Sequence, residues 1–158
     1  MKLISTGSQT VGPFFSIGLS GLCQQPCSPE SAPSGTISIT GRLFDGDQKP
    51  IPDAVLEFWS RGQFVRMAAN DDGSFAANLR RPADANHFEV LIFMRGLLRP
   101  VFTRVYFHEA NALASDECLQ QVPPDRRTTL IAQPAKAGGH FIWDVRMQGE
   151  NETVFFDF

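Results

Sequence analysis

The chain has 158 residues, 42% of them hydrophobic, and a net charge of −3, which is one domain's worth of polymer with a real core to bury. Intrinsic disorder is excluded on those figures, and 14 Lys and Arg against 17 Asp and Glu leave no basic excess for a nucleic-acid binder. No apolar run approaches the roughly 18–20 residues that a membrane helix needs.

The opening, MKLISTGSQT, carries one Lys and no apolar h-region, so the expected address is cytoplasmic. Residues 1–35 are rich in Gly, Ser, Pro and Gln around an apolar patch at Val11 to Leu22. That composition predicts an extended N-terminal arm with turns rather than a core element. Cys23 and Cys27 lie in this stretch. With Cys118 they make an odd number in a chain without a secretory signal, so all three are read as free thiols.

From Thr36 onward short β-type runs alternate with turn signals. TISITGRLF (36–44) and DAVLEFW (53–59) alternate apolar and polar positions, and NDDG (70–73) is a hairpin-type turn leading into SFAANLR. NHFEVLIFMR (86–95) and VFTRVYF (101–107) are β-branched and aromatic, joined by a Gly- and Pro-containing link. An Ala-rich piece near 109–115 has room for one helical turn. TTLIA, HFIWDVRMQ and ETVFFDF finish the chain. Seven to nine short strands with almost no helix period predict an all-β fold, a single antiparallel β-sandwich over residues 36–158. At the C-terminus Val154, Phe156 and Phe158 face one side and Phe155 the other, so both faces of that strand need cover, from its own core or from a partner.

Two counts restrict the chemistry. There are 14 Phe but one Tyr, Tyr106, and three His, namely His87, His108 and His140. Any metal site must draw on that short list. His87 and Glu89 are two apart on one strand face and, with His140, formally match the 2-His-1-carboxylate set of non-haem Fe(II) enzymes. The competing reading has two structural histidines and a Glu89 paired with an arginine. There is no G-x-S-x-G and no phosphate-binding Gly loop. Arg95 closes the longest strand before Gly96, either as a strand-end charge in water or as an anchor for an anionic substrate.

Three segments together resemble the intradiol ring-cleaving dioxygenases. SQTVGPFF (8–15) is similar to their N-terminal signature, FMRG with TRVYF (93–96 and 103–107) to their central strands. QGENETVFFDF (148–158) resembles the end of the α-type subunit of a heteromeric member. The resemblance implies a prealbumin-like sandwich and O2-dependent ortho cleavage of protocatechuate to 3-carboxy-cis,cis-muconate. It implies Fe(III) held by two Tyr and two His in an iron-bearing β subunit, with which this chain forms a hetero-oligomer.

The same resemblance implies that this chain binds no metal. Phe64 stands where the first ligand Tyr belongs, and the loop of the second is missing between Met67 and His87. His87 matches the first ligand His, and Glu89 replaces the second. By motif match, Thr10, Gly12, Pro13 and Phe14 of the arm, with Arg95, help form the substrate-binding wall of the partner's site. No catalytic residue is expected in this chain alone. Two rival readings are a stand-alone β-sandwich binding or assembly module, and an Fe(II) enzyme using His87, Glu89 and His140.

Overall fold

The computed structural model describes residues 4–24, 35–83, 85–107, 114–136 and 138–157. Nine strands run through them: β1 (Thr36–Phe44), β2 (Val55–Ser60), β3 (Gln63–Ala68), β4 (Ser74–Arg80) and β5 (His87–Phe93). These are followed by β6 (Val101–Phe107), β7 (Ile131–Pro134), β8 (His140–Ile142) and β9 (Val145–Arg146). Their spatial order is β3-β2-β5-β6-β7-β8-β1-β4, with β9 beside β1.

Alternation explains which way each strand faces. β5 buries Phe88, Val90 and Ile92 and turns His87, Glu89 and Leu91 outward. On β1 the inward positions are Ile37, Ile39, Gly41 and Leu43. Gly41 is required there because any Cβ would collide with the backbone carbonyl of Trp143. Leu56, Phe58, Phe88, Val90 and Ile92 from one layer meet Ile37, Ile39, Phe75, Ala77 and Leu79 from the other in the main core. This is the sandwich expected from the sequence. Its long ladders are antiparallel, whereas three short pairings, β6 with β7 and β1 with both β8 and β9, are parallel. β7 pairs with β6 on one layer and β8 on the other, so it stitches the two together.

Three elements differ from expectation. Residues 152–157, read as a terminal strand, form no strand and pair with the sheet only through an isolated bridge between Phe156 and Phe102. Residues 63–68 form β3, hairpinned to β2 across Arg61 and Gly62, with Gly62 at φ 74°. The arm, predicted to be extended, contains a helix, α1 (Phe14–Leu19), and a 3₁₀ turn at Ser20–Leu22. Farther along, α2 (Glu117–Gln121) is capped by the Asp116 side chain, which accepts from the Leu119 N–H.

The open side of the sandwich, between β3 and β4, is closed by two glutamines. The Gln24 amide donates to the Asn78 carbonyl and accepts the Asn78 N–H, both at 2.8 Å. Gln63 does the same at Arg80, donating at 3.0 Å and accepting at 2.7 Å. Each side-chain amide imitates one rung of a missing strand on the otherwise free edge of β4.

The C-terminal segment packs within its own chain. Val154 and Phe156 join a second apolar cluster with Tyr106, Leu119, Val122 and Leu130, while Phe155 faces the main core. The Phe156 N–H donates to the Phe102 carbonyl at 2.8 Å. Phe158, Cys27, His108 and most of the Ala-rich piece (108–113) lie outside the described residues. Among the described residues no helix is long and apolar enough to cross a membrane.

Candidate functional site

The arm reaches the sandwich at the turn that follows β5. Pro13 begins α1 with its ring-fixed φ of −63°, and the Phe15 N–H donates to the Gly12 carbonyl at 3.1 Å. The helix is inverted with respect to an ordinary amphipathic one: its one buried residue is Ser16, while Phe14 is 80% exposed and Ile17 also projects outward. Phe15 holds it down, its ring 5.4 Å from that of Phe93. Thr10 Oγ1 accepts the Gly96 N–H at 2.8 Å.

Arg95 is therefore brought beside the arm, next to the residue that Thr10 binds. Its Nη2 donates to Asp53 Oδ2 at 2.7 Å, and its side chain remains 54% exposed. A guanidinium carries five N–H donors in a planar fork, so donors remain for a carboxylate arriving from outside. Of the five residues expected to contact substrate, Thr10 and Arg95 are thus gathered at one place. Phe14 points outward, and a Cβ on Gly12 would meet open space within this chain. Sequence reasoning missed Asp53, which lies 42 residues upstream of its partner. The only local signal was a turn-type Pro-Asp pair.

The outer face of β2, β3, β5 and β6 carries Phe64, His87 and Glu89, the positions that the family resemblance sets against iron ligands. Phe64 stacks on Trp59 with centroids 4.4 Å apart, and the Arg66 guanidinium lies 5.0 Å over the Phe64 ring. Arg66 also donates twice to Glu57 Oε1, at 2.9 and 2.7 Å. Glu89 accepts from Arg104 at 3.4 Å. His87 Nδ1 lies 3.1 Å from Asn86 Oδ1 and 3.6 Å from Asp116 Oδ2, and its ring is 5.0 Å from that of Tyr106. The Tyr106 hydroxyl donates to Asp116 Oδ1 at 3.1 Å.

Burial pushes the Tyr106 phenol far above its usual range, so it stays protonated. Burial, reinforced by the Arg104 charge, holds His87 below its ordinary value and favours the neutral ring. This donor set does not fit a ferric ion. Against the two Tyr and two His that the resemblance implies, it offers one phenol, bonded to Asp116, one imidazole, held at Nδ1 by Asn86 and Asp116, and a Glu89 carboxylate paired with Arg104. Nor does the Fe(II) set assemble. His140 sits on β8 in the opposite layer with Nε2 2.8 Å from Thr40 Oγ1, away from His87 and Glu89 on β5. Among the described residues no three His, Cys, Asp or Glu side chains are grouped to hold a metal ion.

Comparison with known proteins decides the family. The chain is 36% identical to a protocatechuate 3,4-dioxygenase alpha chain of Burkholderia cepacia, over 98% of each protein. It is 31% identical to the alpha chain of the same name from Pseudomonas putida, over 99% of this chain and 98% of that one.

The chain belongs to the protocatechuate 3,4-dioxygenase alpha-chain family.

The Burkholderia alignment runs over 193 positions, more than the 158 residues of this alpha-type chain, so the relative carries insertions that are absent here. No family model matches the chain. In structure it resembles the dioxygenase domain of a dioxygenase–carbohydrate-binding protein fusion from Streptomyces sp. SirexAA-E. The TM-score is 0.59 at 17% identity, covering 94% of this chain and all of that one, which fixes the fold and nothing finer. As an alpha-type chain it is part of a multi-subunit oxidoreductase whose family implies iron in the assembled enzyme.

Proposed function

We propose that this chain is the non-iron α-type subunit of a protocatechuate 3,4-dioxygenase-like enzyme, working only with an iron-bearing β subunit that holds Fe(III). The assembled enzyme cleaves protocatechuate with O2 between its two hydroxyls to give 3-carboxy-cis,cis-muconate. The observation that carries this reading is the donor set around His87, Glu89 and Tyr106. In a chain alpha-like along almost its full length, those positions are committed to internal hydrogen bonds and ion pairs. The redox step then belongs to the partner, and this chain contributes walls and charge.

In this reading the inverted helix and the arm before it cover part of the partner's active site. Thr10, Gly12, Pro13 and Phe14 approach the substrate pocket, and Arg95 grips the carboxylate of protocatechuate with its free N–H groups. Support comes from the exposed apolar face of α1 and from the open space at Gly12, where a partner's backbone can come close.

Co-expression with an iron-bearing β subunit tests the assembly. A stable complex that cleaves the ring is expected, and a chain that neither binds the partner nor supports turnover would leave only the stand-alone module. In the complex, Arg95→Ala is expected to raise KM for protocatechuate more than for catechol, which has no carboxylate. Equal changes would remove the anchor role.

A further inference from the structure

We propose that Asp53 is the positioning residue for Arg95, fixing the guanidinium in advance so that its remaining donors face the substrate carboxylate. This rests on the reading of Arg95 as the carboxylate anchor and adds the group that orients it.

Asp53 Oδ2 accepts from Arg95 Nη2 at 2.7 Å, well inside charge-assisted hydrogen-bond range. The acid is the more rigidly held partner. It follows Pro52, whose φ is restricted by its ring, and is flanked by buried Ile51 and buried Ala54. The Ala54 carbonyl accepts the Ala69 N–H at 2.7 Å. Arg95 instead begins the exposed stretch after β5, on a long side chain with many rotamers.

Asp53 adopts φ 63°, the left-handed region that non-glycine residues enter at a cost, Asp and Asn least of all. Gln48 is the other non-glycine residue with positive φ among the described residues. Stability does not account for that cost at Asp53. Its side chain is 35% exposed and that of Arg95 54%, and half-exposed ion pairs add little to folding. Strained backbone that delivers a carboxylate to a flexible cation is what a binding site needs. The rotamer freedom of Arg95 is surrendered on folding rather than on each encounter with substrate.

The neighbouring contacts aim the pair at the arm. Gly96, adjacent to Arg95, donates to Thr10 Oγ1, so the Asp53–Arg95 pair and the arm are set relative to one another through one peptide unit. The carboxylate of Asp53 also blocks one side of the guanidinium and leaves the others for an incoming anion.

The test uses the assembled complex carrying Asp53→Asn, Arg95→Ala, or both. Asn tolerates the left-handed region nearly as well as Asp, so the substitution removes charge and leaves the turn in place. Asp53→Asn is expected to raise the ratio of KM for protocatechuate to KM for catechol about 2- to 12-fold, the ordering cost of one long side chain, with kcat changed less than KM. In the Arg95→Ala background the same substitution is expected to add no further change. A raised ratio for Arg95→Ala beside an unaltered one for Asp53→Asn overturns the positioning role alone. So does an Asp53→Asn effect that persists without Arg95. An unaltered ratio for Arg95→Ala overturns the anchor reading and this inference with it.

Discussion

His87 is held as a structural residue by what surrounds it. On the outer face of β5 it lies between Asn86, Asp116 and the Tyr106 ring, with Glu89 and Arg104 on the same face. Asp116 and Glu89 favour its charged form, but burial and Arg104 prevail and hold its pKa below the ordinary 6.5. The unfolded chain therefore binds more protons than the folded one in the window below that value. Stability is full above it and declines as pH falls through the lowered folded pKa. The thermal midpoint is expected to drop less between pH 7.5 and pH 5 in His87→Gln than in the unmodified chain. Identical drops would mean that His87 takes no part in the acid loss. At this scale the sequence revealed residue types but not pairings. That Tyr106 is single was countable, whereas its bond to Asp116 and the link between Asp53 and Arg95 depend on strands and loops distant along the chain.

Among the elements, the strongly patterned strands were legible and the weakly patterned ones were not. β1 occupies the stretch its alternation marks out, β6 the one its β-branched and aromatic residues mark, and β4 follows the Asn70–Gly73 turn, closed by a Gly73 N–H to Asn70 carbonyl bond of 2.8 Å. β3 escaped notice because Phe64 and Arg66 face outward as a stacked pair with Trp59 and Glu57, which blurs the apolar alternation. α1 has six residues, too few for a helical period to emerge, and it puts apolar side chains outward. Its place is set by the contact of Phe15 with Phe93 and, just before the helix, by the bond from Gly96 to Thr10. Deleting the arm through Phe15 removes both contacts yet leaves Gln24 on Asn78. The truncated chain is expected to stay folded by circular dichroism while binding the β subunit more weakly in a pull-down titration. Undiminished binding would show that the arm is dispensable for assembly.

At the scale of the whole molecule, the family was readable from the terminal motifs because they carry local chemistry: a Gly-Pro helix start at one end and alternating aromatic cover at the other. The isolated chain, incubated with Fe(III), is expected to show no visible tyrosinate-to-iron absorption. The only phenol here is protonated and buried, so the assembled complex is expected to show the absorption through its partner's ligands alone. A coloured, stoichiometric ferric adduct of the chain by itself would contradict the division of labour between subunits.

The glutamine clasps over Asn78 and Arg80 have a consequence for how such a chain chooses company. A sheet whose last strand shows bare amides invites another copy of itself to add on, and that invitation can repeat without end. With Gln24 and Gln63 occupying those rungs, self-templated growth from this border is discouraged. Phe14 and Ile17 instead offer side chains to the outside, a kind of surface that a dissimilar protein can match once and then stop.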